Sequence, residues 1–469
     1  MWRSFFIALM RNPISLLGSA IVTASGLLIV TLFALDLLGF SGSPYLGILA
    51  FLILPAIFVL GLILIPIGIA RQKRRDRKAE EGGASPPAFP VLDLNNTRTR
   101  GRAVVFVVLT LLNVVILSAA TYKGVETMDS TAFCGKTCHS VMMPEDTAHE
   151  RGAHASVACV DCHIGPGAGW FVKSKLSGTW QVIAVTFDLY PRPIPTPVHS
   201  LRPARETCQQ CHWPSKFVGD RLEVIDSFDN DETNTPSKTV LLLRVGGRQG
   251  SASHGIHWHV DPGVQIRYLS DESRETIYRV EMRTRDGKVT QFTSSDKKPA
   301  AGAVWRTMDC VDCHNRPSHT FQPPEKEVDA AIVAGRIDRG LPFVRREGLR
   351  LLKAAYPSHE AASRGITGGL EAFYAKEYPQ IAAQKAAAIE GAAAALAMAY
   401  RSNVFPSMKI GWGTYPNHIG HESSPGCFRC HDDAHAAPDG KTISQDCSTC
   451  HAMLAMGEED PEILHSLEQ

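Results

Sequence analysis

The sequence predicts a mainly α protein with three N-terminal transmembrane helices, a small β-rich insertion and little regular structure elsewhere. Three observations carry this. Three long apolar runs precede residue 121, short β-branched runs cluster between Lys238 and Thr293, and six cysteine–histidine motifs are distributed from Cys134 to His451.

Met1–Asn12 carries Arg3 and Arg11 and no acidic residue, and the apolar run Ile14–Phe40 follows, broken only by small residues and Asp36. At about 1.5 Å per helical residue it spans a bilayer core of ~30 Å. A cleavable signal has an apolar core of roughly 7–15 residues and a small-residue cleavage site. This run is longer and shows no such site, so an uncleaved helix is expected. Ser41–Pro44 is an uncharged turn, and Tyr45–Ala70 is the second span, with Pro55 and Pro66 as tolerable kinks.

Arg71–Lys78 reads RQKRRDRK and Arg98–Arg102 reads RTRGR. Between Arg71 and Arg102, nine Lys/Arg stand against four Asp/Glu, a formal +5 in a chain whose net charge is +1. The near-neutral total excludes a nucleic-acid footprint, and a basic loop between two spans is cytoplasmic by the positive-inside rule. A flexible GGASPPAFP linker lies within it. Ala103–Ala120 is the third span. Residues 1–120 thus form a three-helix anchor with a cytoplasmic loop at 71–102, and the rest of the chain faces the periplasm.

Cys134, Cys138 and His139 in FCGKTCHSVMMPE form the motif around which the chain is organised. Five further copies follow: Cys159/Cys162/His163, Cys208/Cys211/His212, Cys310/Cys313/His314, Cys427/Cys430/His431 and Cys447/Cys450/His451. Two thiols that add to the haem vinyl groups, followed by a histidine that binds iron, make a c-type haem attachment site. Zinc ribbons or a disulfide framework do not explain a histidine directly after the second cysteine, because adjacent residues rarely chelate one tetrahedral ion. The six copies use all 12 cysteines, and the first has three residues between its cysteines instead of two. Six covalently attached haem c groups are therefore expected. Attachment takes place outside the bacterial cytoplasm, in agreement with the charge argument and with a location in the inner (cytoplasmic) membrane.

Residues 121–232 hold haems 1–3. Within them, Gly165–Pro195 interleaves Trp170, Phe171, Trp180, Phe187 and Tyr190 with Lys173 and Lys175, a pattern suited to a membrane–water interface or to a soluble amphipathic helix. Residues 233–300 form the β-rich insertion, with TVLLLRV, VQIRYLS, ETIYRVEMR and KVTQFTS as strands. Residues 301–324 carry haem 4, and 325–410 form a helical spacer that is alanine-rich from Ile381 to Tyr400. Residues 411–469 form a C-terminal dihaem segment ending in an acidic tail.

Low-spin haems need a second axial ligand, and 12 of the 18 histidines lie outside the motifs. The expected distal ligands are His154, His199, His257, His319, His418 and His435; in HGIHWHV the three histidines cannot be separated by sequence. His359 and His465 read as surface or hydrogen-bonded imidazoles. For the first haem, Met142 and Met143 offer a thioether, which raises the potential relative to bis-histidine ligation, or serve as apolar packing.

A membrane anchor followed by these motifs, an early methionine and a histidine ahead of the second motif resembles the NapC/NirT family, including its NrfH-like members, over Thr121 to about Pro214. The larger layout is similar to three-span multihaem inner-membrane cytochromes of metal-respiring bacteria. The resemblance implies a quinol dehydrogenase of anaerobic or extracellular respiration, with menaquinol or ubiquinol as substrate and a periplasmic cytochrome or reductase as partner. It assigns Cys134, Cys138 and either His139 or Met142/Met143 to the quinol-proximal haem. The sequence departs from the family in the extra motif residue, the methionine three rather than two past the histidine, and the additional spans and haems. Quinol oxidation releases two protons, for which Lys123, Glu126, Asp129, Lys173 and Lys175 are candidate acceptors at the outer membrane face. Two alternatives stay open: a terminal reductase of a small oxyanion, and a conduit that runs in reverse and reduces quinone. A homo-oligomer is compatible with either.

Overall fold

The computed structural model describes residues 12–37, 54–82, 94–137, 139–165, 168–198, 202–213, 216–217, 219–249 and 252–467. The chain divides into two compact units, Met1–Phe133 and Cys134–Gln469.

The first unit contains three long helices: α1 (Pro13–Leu37), α2 (Leu54–Glu81) and α3 (Thr97–Met128). α1 and α2 pack through small residues. A Cβ on Gly18 would stand 2.8 Å from the Gly61 carbonyl oxygen, and one on Gly61 would stand 2.9 Å from that of Gly18. Ser15 donates to the Ile65 carbonyl at 3.0 Å, and Asn12 to that of Gly68. Close backbone approach with polar side chains bonded between helices is how helices associate in lipid, where burial of apolar surface gives no drive. Leu16, Leu17, Leu27 and Leu28 of α1 and Val59, Leu60, Leu62 and Ile63 of α2 point outward. Among the described residues, two stretches are long and apolar enough to cross a membrane, Pro13–Thr31 and Leu54–Lys78, instead of the three expected. The expected third, Ala103–Ala120, lies within α3 and is helical throughout. Arg98, Arg100 and Arg102 begin α3, and Lys123 and Glu126 stand near its end, so its 32 residues are less apolar as a whole than its central run.

The second unit has three parts. Its first stretch holds α4 (His139–Glu150) and α5 (Ala168–Thr186), with single turns carrying the second and third motifs. A β region follows. One antiparallel sheet has the order β1 (Arg221–Phe228), β2 (Pro236–Leu243), β10 (His451–Glu458). A second has the order β8 (Val304–Thr307), β5 (Gln265–Ser270), β6 (Ile277–Arg283), β7 (Val289–Ser294), β9 (His435–Ala436), and β3 (Gly247–Gln249) and β4 (Ala252–His254) form a hairpin. The four expected strands form as β2, β5, β6 and β7, but the sheets extend beyond 233–300 in both directions. Each is completed by a strand from the C-terminal segment: Leu243 pairs with His451, and Ser294 with His435. In the second sheet, Ile266, Tyr268, Ile277 and Val280 are buried together, giving the strands one covered face.

The third part is helical: α6 (Pro324–Val333), α7 (Val344–Leu352), α8 (His359–Glu377) and α9 (Ala386–Asn403). Val328, Leu341, Val344, Leu352, Ile366, Leu370, Tyr374, Ala392 and Leu396 have no exposed surface and belong to one core cluster. The alanines of α9 allow close approach: Ala392 and Ala393 are fully buried against it. Ser358 caps α8 by accepting from the Ala361 amide at 3.2 Å.

Candidate functional site

The C-x2-C-H motifs sit on single turns. Cys159–His163 and Cys310–Cys313 are short α-turns, Gly426–Arg429 and Cys447–Thr449 are 3-10 turns, and Ala204–Cys208 leads into the third motif. A turn places residues three apart on the same side, so the two thiols face one way. At the fourth motif, Asp309 accepts from the Cys310 amide at 2.7 Å and the Asp312 carboxylate accepts from the Asp309 amide at 2.7 Å, which fixes the turn. The first motif instead begins on a π-helical turn, Phe133–Thr137. Such a turn takes one residue more than an α-turn, as the C-x3-C spacing requires. Cys138 and the side chain of His139 lie outside the described residues.

Five motif histidines each face a second imidazole. Ring centres stand 6.1 Å apart for His163 and His319, 5.9 Å for His212 and His154, and 6.3 Å for His314 and His257. They stand 5.8 Å apart for His431 and His259, and 6.4 Å for His451 and His421. An iron–nitrogen bond of about 2 Å on each side, plus roughly 1 Å from nitrogen to ring centre, separates two axial imidazoles by about 6 Å. The pairs fit that geometry.

The outer nitrogens fix the tautomers. Nδ1 of His154, His257, His259 and His319 lies 3.1, 2.8, 2.7 and 3.1 Å from the carbonyl oxygens of Pro317, Val245, Ile256 and Glu145. Donating that N–H leaves Nε2 with a lone pair, the arrangement of a metal-binding histidine. Desolvation holds His259 and His319 below the ordinary imidazole range, which keeps them neutral. His421 is oriented by stacking on Phe428, with ring centres 4.3 Å apart. Desolvation also pushes the Cys313 thiol up to about 11 and that of Cys430 to about 12.

His154, His257 and His319 are thus brought opposite motif histidines as the sequence suggested. His418 and His435 are not. His418 is buried with Nδ1 3.3 Å from the Asp312 carbonyl oxygen and Nε2 2.7 Å from the Glu275 carboxylate. His435 is fully buried with Nδ1 2.8 Å from the Asp432 carboxylate. The Nε2 of His435 is buried without a hydrogen-bond partner; His259 and His421 face the fifth and sixth motif histidines, and His199 lies outside the described residues. His359 is hydrogen-bonded to the Val404 carbonyl at 2.6 Å, and His465 pairs with Asp460 at the surface. His149 also lies 6.2 Å from His319, but its Nε2 is 3.0 Å from the Val157 carbonyl oxygen.

The second to sixth motifs adjoin one another in chain order. Cys162 is within electrostatic reach of Cys208 and Cys211, Cys208 hydrogen-bonds Cys310, Cys313 faces Cys427, and Cys450 faces Cys427. The turn Ile256–Val260 carries both His257 and His259 and so joins the fourth motif to the fifth. Glu145 of α4 accepts both Arg316 contacts at 3.1 Å, and Arg316 lies over Tyr415 and Phe321. That network fixes His319 beside α4.

Beside the first motif is a cavity of about 310 Å³ lined by Gly135, Lys136, Met143, Asp146, Thr147 and Glu150. The Asp146 carboxylate occupies the place of a Cβ on Gly135, so a larger residue here would displace that carboxylate. Lys136 pairs with Glu150 at 3.3 Å. Met143 also packs against the buried cluster of Val141, Phe405, Met408, Ile410 and Tyr415, and Met142 is half-buried on the same helix. Asp146 and Glu150 were not singled out from sequence; their four-residue spacing on α4 was the available signal. Among the expected proton acceptors, Lys123 and Glu126 form an exposed ion pair at 2.9 Å, Lys173 lies 4.4 Å over Trp170, and Asp129 is half-buried. The Lys175 side chain lies outside the described residues.

Comparison with known proteins gives two findings. Residues 96–192 match the model of the NapC/NirT cytochrome c family, N-terminal region. The cytochrome c-type protein ImcH of Geobacter sulfurreducens is 43% identical over 458 residues, covering 96% of this chain and 90% of the relative. No solved structure matches.

Proposed function

Because the chain belongs to the family of membrane-anchored multihaem c-type cytochromes with a NapC/NirT N-terminal region, we propose that it is a hexahaem quinol dehydrogenase of the bacterial inner membrane. Haem iron supplies one-electron chemistry, cycling between ferric and ferrous states. The carrying observation is the set of five imidazole pairs at 5.8–6.4 Å, each containing one motif histidine. In this reading His319, His154, His257, His259 and His421 are the distal ligands of haems 2 to 6, in that order. The chain-order contacts between motifs favour a linear relay from the second motif to the sixth, which the first haem would feed. His139 or Met142/Met143 would hold the first haem.

The cavity beside Gly135 supplies the quinol entry. Asp146 and Glu150 line it and take up the protons that quinol releases, with Lys136 holding Glu150 in place. Lys123, Glu126, Asp129, Lys173 and Lys175 are further candidate proton acceptors at the outer membrane face. Three spans with the loop 71–102 in the cytoplasm put the haem unit in the periplasm, where a cytochrome or reductase accepts the electrons. A terminal reductase needs an iron with an open position. The five paired histidines favour the relay over that alternative, because they leave no such position at haems 2 to 6.

Anaerobic addition of a reduced menaquinol or ubiquinol analogue to the purified protein should reduce the haems, as followed by visible absorption, and Asp146→Asn should slow this at least tenfold without altering reduction by dithionite. Dithionite reduction with no quinol reduction would reject the dehydrogenase reading.

A further inference from the structure

α5 carries an apolar stripe that no other described part of the second unit covers. Leu176, Trp180, Ile183 and Phe187 follow at intervals of four, three and four residues, which places them on one helical face. They are 69, 60, 40 and 68% exposed. The helical hydrogen bonding continues through the stripe, since the Phe187 amide donates to the Ile183 carbonyl at 3.0 Å. The side away from the stripe is fixed, because Val185 packs against the cluster of Val141, Phe405 and Tyr415. The stripe is therefore the outer face of a docked helix rather than part of a loose end.

A cation lies over an aromatic ring near the start of α5 and again past its end, where Tyr190 also packs against the Val141 cluster. Lys173 lies 4.4 Å from the Trp170 ring centre, and Arg192 lies 4.4 Å from that of Tyr190 while pairing with Asp188. Amphipathic rings flanked by basic groups mark the headgroup level of a bilayer, with aliphatic and phenyl groups below it. The chain brings its own bilayer within reach, because α3 ends only a few residues before Cys134 and two preceding helices are long and apolar enough to cross. α5 itself is interrupted by Lys173, Lys175, Ser177 and Gln181, so it suits lying on a membrane and not crossing it.

We propose that α5 is an interfacial membrane helix, lying in the outer headgroup boundary of the bilayer that anchors the chain, with Leu176, Trp180, Ile183 and Phe187 entering the acyl region. α4 and α5 share the Val141 cluster, so this contact holds the first motif at the lipid surface by a second attachment, separate from the transmembrane helices. The inference needs only the membrane anchor and is independent of quinol oxidation or the direction of electron flow.

The test uses full-length, haem-loaded protein in vesicles of phosphatidylethanolamine and phosphatidylglycerol. A photoreactive residue is introduced by Trp180→benzoylphenylalanine or, separately, Phe187→benzoylphenylalanine. Met398→benzoylphenylalanine, at a site 57% exposed on α9, is the control. After irradiation, the masses of the labelled peptides are read, with the haem absorption spectrum checking that each variant is folded. Phospholipid adducts at 180 and 187 at least tenfold above those at 398 are expected. Crosslinks from 180 and 187 to a second copy or another protein, or lipid yields no higher than at 398, would overturn the proposal.

Discussion

The helical part from Pro324 to Asn403 and the haem stretch from Cys159 to His212 reach order by opposite means. The first buries Leu341, Leu352, Ile366, Leu370, Tyr374 and Leu396 completely in one cluster. In the second, Ala184 and Ala204 are the buried apolar side chains among the described residues. A stretch with so little core of its own does not offset the entropy of ordering its backbone. In a c-type cytochrome the macrocycle takes the place of that core, and covalent thioethers with axial imidazoles hold the chain around it. The helical part is therefore specified by side-chain packing, and the haem stretch by chemistry performed after synthesis.

The largest expected effect separates the two parts outright. If haem attachment is prevented, limited proteolysis should cut freely between Cys159 and His212 while the region from Pro324 to Asn403 resists. Equal resistance in both would mean that the haem stretch folds on its own side chains, and the comparison would fail. A smaller effect is expected from Leu370→Ala. It should cost about 2–5 kcal/mol of unfolding free energy, as deletion of a fully buried leucine does, and leave the visible and paramagnetic signatures of all haems unchanged. Denaturant titration monitored by far-UV dichroism and by haem absorption would read both quantities.

The smallest effect on stability should have the clearest spectroscopic signature. His421→Ala should convert one haem from low to high spin, while His418→Ala should leave the low-spin count intact. Electron paramagnetic resonance on the oxidised proteins distinguishes them, and the reverse pattern would return His418 to the role of ligand.

Much of this was legible in the chain itself. The motifs, the basic loop and the strands β2, β5, β6 and β7 follow from local signals: fixed spacings, charge runs and β-branched stretches. His154 and His319 could be named because each lies close to a motif and so to some haem. His259 and His421 could not, because two imidazoles come opposite each other through tertiary approach, and His257 and His259 differ only in the side of one 3-10 turn on which they stand. The strands β1 and β10 were missed for the same kind of reason. RLEVIDSF is too charged to read as a strand alone, and HAMLAMGE lies directly behind a haem motif; each becomes a strand by pairing with β2.

That pairing sets the order in which the molecule can be finished. β2 ends at Leu243 and its partner begins at His451, so one edge of that sheet stays open until the last motif has been made. At about 5–20 residues per second of synthesis, the intervening chain takes roughly 10–40 s to arrive. During that interval the fourth and fifth motifs are made while that sheet still lacks its closing strand. Closure by β10 then works as a latch set only after the sixth motif has been made.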